Sequence, residues 1–314
     1  WVCKKVTERL PARWLVADDV GLGKTIEAGL ILSPLLSREH VRRVLVLCPA
    51  SLVDQWQARL HTMFDIRLTV YSTEADSRAT NFWEIQKQVV ASLQTLRVAN
   101  EERKERFFDA APWDILIVDE AHHLNADEKS GPTLGYEFVR EMVDRKHVSS
   151  MVFFTGTPHR GKDYGFLSLL RLLDPDRFGP DRPMLEQQPY LRDIMIRNNK
   201  YTVTDMDGSR LFQEPTVTSK EYAYSEAEAA FYAMLTEFIE TGKAYASSLG
   251  HTHHNAVILV IIAMQKLASS SVAAIRSALA RRLDMIMAQR ERLGGVLQVL
   301  DQYERLEDDQ EDDV

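Results

Sequence analysis

Ala17-Asp18-Asp19-Val20-Gly21-Leu22-Gly23-Lys24-Thr25 is the stretch that decides how this chain folds. It follows an apolar run, Trp14-Leu15-Val16, and opens an apolar-periodic segment from Ile26 to Leu36. Strand, glycine-rich turn and helix in that order make a phosphate-binding loop. Gly21 and Gly23 permit the tight turn that points successive N–H groups at an anion. The helix that follows brings its positive dipole end to the same spot. Lys24 supplies a mobile charge for the outer phosphates, and the Thr25 hydroxyl is a ligand for Mg²⁺. The full pattern G-x-x-x-x-G-K-[ST] asks for glycine where this chain has Asp18. An ordinary strand-to-helix turn is the plain alternative, but Lys-Thr at a helix start has little structural purpose.

Such a loop needs an acidic pair at the end of a second buried strand. Ile115-Leu116-Ile117-Val118 is a continuous apolar run rich in β-branched residues, as a parallel strand covered on both faces requires. Asp119-Glu120-Ala121-His122 follows at once. Ligands of open α/β sheets sit beyond the carboxyl ends of the strands, where this tetrad falls. Asp119 is expected to hold Mg²⁺, directly or through water, and Glu120 to orient and deprotonate the attacking water. Standing alone, the two carboxylates could also be solvated groups capping a helix, a reading that the phosphate loop disfavours. A third strand, Met151-Val152-Phe153-Phe154, ends in Thr155-Gly156-Thr157-Pro158. Its hydroxyls would lie near the acidic tetrad if the strands are neighbours, although as bare sequence it is an ordinary turn.

The ordered set of motifs resembles a known family. Asp18-Asp19-Val20-Gly21-Leu22-Gly23-Lys24-Thr25 is followed by Val44-Leu45-Val46-Leu47-Cys48-Pro49-Ala50-Ser51-Leu52 with Gln55-Trp56. Val90-Ala91-Ser92-Leu93-Gln94-Thr95-Leu96, Asp119-Glu120-Ala121-His122-His123 and Thr155-Gly156-Thr157-Pro158-His159 come next. The set is similar to the Swi/Snf group of superfamily-two helicase-like ATPases, which uses aspartate at the position of Asp18. Ile26-Glu27-Ala28-Gly29, Leu169 to Pro175, Ile194-Met195-Ile196-Arg197 and Leu267-Ala268-Ser269-Ser270 look like its bacterial RapA-like branch. The likeness is specific through about residue 178 and looser beyond.

The resemblance implies an α/β fold, a RecA-like three-layer parallel sheet of the P-loop NTPase kind, followed by a mainly helical extension. It implies ATP and Mg²⁺ as cofactors. Asp19, Gly21, Leu22, Gly23, Lys24 and Thr25 would bind ATP, Thr25 and Asp119 the metal, with Glu120, Lys24 and Asp119 as catalytic residues. It places Pro49, Ala50, Ser51 and Ser92 where the family touches the phosphates of a tracked strand; Ser51 and Ser92 also read as plain caps, and both roles can hold together. His122 would couple the ATP site to the strand groove together with Thr155, Gly156 and Thr157, whereas His123 reads as structural. The implied partners are double-stranded DNA, with RNA or a protein–DNA complex as alternatives, and a second RecA-like lobe carrying an arginine pair. No such lobe, and no adenine-reading glutamine upstream of the loop, is visible in the sequence. Where the family tends to continue with basic residues after Arg197, this chain has Asn198-Asn199-Lys200-Tyr201. The expectation is a first lobe over 1–178, a helical extension over 179–306 and an acidic linker over 307–314.

With 314 residues, 45% hydrophobic and 27% charged, the chain is an ordinary globular protein with room for two structural units. No apolar run reaches the roughly 18 residues needed to span a bilayer, and no membrane is expected. Two cysteines, Cys3 and Cys48, suggest a reducing compartment, hence a cytoplasmic location, and give no metal framework. A net charge of −8 argues against an obvious nucleic-acid binder. Part of it lies in the acidic run from Glu307 to Asp313, which reads as a solvated linker.

Strands are expected near 14–17, 44–48, 68–71, 88–91, 115–118 and 150–154. Helices are expected near 24–36, 52–63, 93–108, 134–145 and 164–173, an alternation that implies βαβ units. Asp174-Pro175 and Gly179-Pro180 break the chain. A helix over 187–197 and a short strand over 216–222 are expected next. Ser225 and Glu228 form a capping box opening another helix. Two further helices follow, the last running on to Tyr303. The segment 125–133 reads as a loop. Trp56 and Trp83 either stack on bases or fill the core. His251, His253 and His254 are either a metal cluster or an exposed loop, and Arg160 and Lys162 either touch phosphate or face solvent.

The function that emerges is an ATP-driven motor lobe, and the resemblance makes it a translocase or remodeller rather than a strand separator. A non-catalytic nucleotide- or DNA-binding scaffold and an unrelated P-loop NTPase are the alternatives. Intact Lys24 and Glu120 oppose the first, and Asp119 to His122 with Pro49 to Leu52 the second.

Overall fold

A computed structural model describes residues 1–76, 80–97, 101–159, 161–205, 207–213, 216–219, 221, 223–247 and 251–311. Its strands are β1 (Arg13–Val16), β2 (Val44–Cys48), β3 (Thr69–Val70), β4 (Gln88–Ser92), β5 (Trp113–Val118), β6 (Ala126–Asp127), β7 (Gly131–Pro132), β8 (Val148–Phe154) and β9 (Met195–Ile196). Seven of them form one sheet in the order β3-β4-β2-β5-β8-β1-β9, with every pairing parallel.

The apolar runs explain why the sheet is buried on both faces. Successive side chains of a strand point to opposite faces. Leu45, Leu47, Leu116, Val118, Met151 and Phe153 join one buried cluster. Their alternates Val44, Val46, Ile115, Ile117, Val152 and Phe154 join the other. Helices Lys24–Ser37 and Val53–Phe64 supply Ile31, Leu32, Trp56 and Leu60 to the second cluster. Helices Leu134–Asp144 and Asp163–Leu173 supply Phe138, Met142, Leu169 and Leu170 to the first. The three-layer, RecA-like arrangement is therefore the one read from the sequence.

Several expectations need correction. The helix expected over 93–108 is two, Leu93–Arg97 and Glu101–Asp109, with 98–100 outside the described residues. The loop expected over 125–133 holds the antiparallel pair β6–β7. In place of a helix over 187–197 there are short turns, Met184–Gln187, Gln188–Tyr190 and Leu191–Ile194, and then β9. That strand covers the otherwise open edge of β1, with Leu15 opposite Met195 and Val16 opposite Ile196. No strand occupies Thr216 to Ser219 or Glu221, and Lys220 and Tyr222 lie outside the described residues.

The first compact unit accordingly runs from Trp1 to Thr216 and the second from Val217 to Val314, so the boundary expected after residue 178 moves downstream. The second unit is helical: Glu226–Ser247, His251–Ser270 and Val272–Glu311. Its core contains Leu235, Ile239, Ile261, Met264 and Ile275. The capping box is formed, with Ser225 N donating to Glu228 Oε2 and Glu228 N to Ser225 Oγ. The last helix continues through the run expected as an acidic linker as far as Glu311, and residues 312–314 lie outside the described ones. Among the described residues no helix is long and apolar enough to cross a membrane.

Candidate nucleotide and nucleic-acid site

Sheet order sets the site. Reading across the neighbouring strands β4, β2, β5, β8 and β1, the carboxyl ends carry Ser92, Pro49-Ala50-Ser51, Asp119-Glu120, Thr155-Gly156-Thr157 and the phosphate loop. Adjacent strands lie about 4.8 Å apart, so these five elements form one continuous row.

The loop after β1 has the conformation its glycines permit. Gly21 and Gly23 adopt φ of 90° and 91°, a left-handed region that costs other residues. Leu22 N donates to Asp19 O, closing the turn, and Gly23 caps the helix that begins at Lys24. Asp18 is fully buried and accepts from Asn198 N at 2.8 Å and from Asn198 Nδ2 at 2.9 and 3.1 Å. Asp19 accepts from Lys200 N at 3.1 Å. The two aspartates therefore tie the loop to the segment after β9.

Lys24 reaches across to β8. A Cβ added to Gly156 would stand 3.2 Å from Lys24 Nζ and 2.9 Å from Val20 Cγ2, so only glycine leaves the loop and the Thr155-Gly156-Thr157 turn this close. The same ammonium acts on both carboxylates after β5. Asp119 is 8% exposed, accepting from Trp56 Nε1 at 2.8 Å and from Glu120 N at 2.9 Å. Burial pushes its carboxyl above the usual range, against the Trp56 and Glu120 hydrogen bonds. Glu120 sits in left-handed backbone, φ 48°, with His122 Nδ1 3.0 Å from its Oε2. The hydrogen bond to His122 holds Glu120 below the usual carboxylate range. His122 Nδ1 also lies 2.9 Å from Thr155 Oγ1 and 3.5 Å from Thr157 Oγ1, and Thr157 N donates to Thr155 Oγ1. Thr155 and Thr157 thus meet His122 on one ring nitrogen, while Gly156 packs against Val20 and Lys24. His123 is exposed, its ring 4.4 Å from that of His122.

At the other end of the row, Ala50 and Ser51 are exposed and Pro49 precedes their short 3₁₀ turn. Ser92 takes the cap reading: it is 7% exposed, accepts from Thr95 N at 3.4 Å and donates to Gln94 Oε1 at 2.9 Å, the oxygen that also accepts from Ala50 N. It braces the strand end, and Gln94 is the group that sequence reading missed. Trp56 and Trp83 are each 1% exposed, which makes both core residues. A buried indole N–H needs an acceptor, and for Trp56 that is Asp119. Lys162 is committed to Asp127 at 2.6 Å, and Arg160 lies outside the described residues. No group of three or more His, Cys, Asp or Glu side chains among the described residues is arranged to hold a metal, and the side chains of His251 and His253 lie outside that set.

Beside the loop opens a cavity of about 590 Å³ lined by Cys3, Asp18, Leu22, Glu27, Leu30 and Asn198, among others. Burial, then Asp18, pushes the Glu27 carboxyl up to about 8. As two carboxylates neither group can donate, and Glu27 Oε2 is buried without a partner. Once protonated, the Glu27 carboxyl becomes a donor that Asp18 can accept. The folded chain then holds a proton near neutrality that the unfolded chain lacks. This contribution to stability is complete below pH 4.5 and is lost as pH rises through about 8. Thermal melts should fall from pH 6 to pH 9 in the wild type and less steeply in Glu27→Gln; equal slopes would refute the assignment.

A glycine-rich loop at a helix start, an acidic strand end and the Thr155–Thr157 turn lie together along one edge of a P-loop sheet, as in a nucleotide-hydrolase class of site. Residues 7–266 match the model of the SNF2-related domain, and the chain belongs to that family. Over 197 residues it is 36% identical to the RNA polymerase-associated protein RapA of Yersinia enterocolitica and 35% to that of Yersinia pseudotuberculosis. These alignments cover 62% of this chain and 20% of each relative, so the chain spans about a fifth of their length. The SWI2/SNF2 ATPase core domain of Sulfolobus solfataricus superimposes with a TM-score of 0.50 at 20% identity, over 84% of this chain and 54% of that one. This last likeness speaks to fold alone. The chain is thus a Swi/Snf-type helicase-like ATPase domain, similar to RapA.

Proposed function

We propose that this chain is the ATP-binding first lobe of a motor that translocates on double-stranded DNA and remodels complexes on it. One observation carries the reading: the ends of β1, β5 and β8 converge on Lys24, which faces Gly156 and acts on Asp119 and Glu120. In this reading Asp19 and Gly21 to Thr25 form the cradle for the triphosphate, and the cavity beside the loop takes the nucleoside.

Mg²⁺, when bound, would supply charge neutralisation at the outer phosphates. Thr25 and Asp119 offer it hard oxygen donors, and a cation beside Asp119 would offset the burial that raises its carboxyl pKa. Glu120 orients the attacking water; kept ionised by His122, it is a better positioner than a strong base. His122 links it to Thr155 and Thr157. A second RecA-like lobe supplies the arginines, and the motor works in the cytoplasm. Family membership supports DNA over RNA.

The duplex backbone would lie along Pro49, Ala50 and Ser51, with Ser92 acting through Gln94. Contacts to phosphate carry no sequence information and weaken steeply with salt. The test is ATP hydrolysis by the full-length protein with and without duplex DNA. Wild type should be stimulated, and Ser51→Glu should lose the stimulation while binding ATP normally. Absence of stimulation in the wild type, or equal stimulation of Ser51→Glu, contradicts the proposal.

A further inference from the structure

The chain after β9 runs on beside the phosphate loop. Ala17 N donates to Ile196 O at 2.7 Å and Asp19 N to Asn198 O at 3.2 Å. The Asn198 bonds to Asp18 and the Lys200 N bond to Asp19 complete a strap from residue 196 to residue 200. The strap fixes the backbone of Lys200 against the loop and leaves its side chain to choose a direction. Lys200 turns onto the loop: a Cβ added to Gly21 would meet Lys200 Nζ at 3.5 Å and Cε at 3.8 Å.

Among the described residues Lys200 has no carboxylate within ion-pair distance, and there its Nζ has only the Phe212 ring, 5.6 Å from the centroid. Asp18 and Asp19 are the nearest acids of the loop, and both already accept backbone or amide N–H groups of the strap. Lys24 opens the helix at the end of the same loop, whose backbone amides also present positive charge. Such an arrangement is repulsive when empty and favourable around a polyanion. A half-buried cation a few ångströms from that anion interacts with it more strongly than an exposed one would.

We infer that Lys200 is a second phosphate-directed cation of the nucleotide site, held over Gly21 by the Asn198–Lys200 strap and acting beside Lys24. The inference rests on the reading of the loop as a nucleotide site. Because the interaction is with charge, its strength follows the number of phosphates on the ligand. A residue that merely props the loop would affect every nucleotide alike.

The experiment is a calorimetric titration of this chain with Mg·ATP, Mg·ADP and AMP, for wild type, Lys200→Ala and Lys200→Arg, at low and high salt. Lys200→Ala should weaken ATP about tenfold, ADP less and AMP hardly at all, with the ATP loss shrinking at high salt. Lys200→Arg should keep most of the affinity. Equal losses for the three nucleotides, no loss for ATP, or failure of arginine to rescue would overturn the inference while leaving the nucleotide site intact. A wild type that binds none of the three overturns both.

Discussion

Glu120→Gln should cut ATP hydrolysis by the full-length protein by about 10²–10⁴-fold, the range expected when a positioned acid–base group is removed. ATP itself should stay bound, because Lys24, Thr25 and Asp119 are untouched. The geometry also predicts which neighbour suffers. His122 Nδ1 stands 3.0 Å from Glu120 Oε2 and 2.9 Å from Thr155 Oγ1, so loss of the carboxylate removes the charge that orients the ring. Glutamine preserves the shape, and the left-handed backbone at residue 120 stays as it is. Single-turnover rates and nucleotide affinity, measured on the same preparation, separate the two effects. Comparable hydrolysis in the variant would mean that another group orients the water.

Much of this site was legible because it is built from contiguous motifs at the ends of strongly apolar runs. Val44 to Cys48, Ile115 to Val118 and Met151 to Phe154 announce parallel strands, and in a doubly covered sheet the residues after them share one edge. That logic places the Thr155 and Thr157 hydroxyls beside the acidic tetrad, where His122 lies.

The illegible parts have physical reasons. β9 is two residues long, and Met195-Ile196 is a strand only because β1 offers an open edge. The proline- and glycine-rich stretch from Asp174 to Pro183 ends a helix without ending a domain. Phe178 is fully buried there, and Gln187 donates to Gly179 O while accepting from Gly179 N. Ser92 ends a strand that is covered to its last residue, so its side chain turns inward to Gln94. The Trp56–Asp119 bond joins a helix to the end of a strand far along the chain, and no local pattern records it. Asn198 and Lys200 follow the short β9, so their place at the loop was equally hidden.

Lys24→Ala carries the second large effect. Lys24 Nζ stands beside Gly156 and acts on Asp119, Glu120 and Glu27, so it is the charge around which the three strand ends assemble. Its removal leaves those carboxylates without their shared cation and the triphosphate without its principal counter-charge. The fold should persist, because Lys24 opens its helix from the first turn and contributes nothing to either core cluster. Affinity for Mg·ATP should fall by about a hundredfold or more, the loss expected when a charged partner of a buried anion is taken away. The decisive measurement is a calorimetric titration of Mg·ATP into the wild-type chain and into Lys24→Ala, with thermal melts confirming that both are folded. The account predicts saturable binding in the wild type and none detectable in the variant; equal affinity in the two would contradict it.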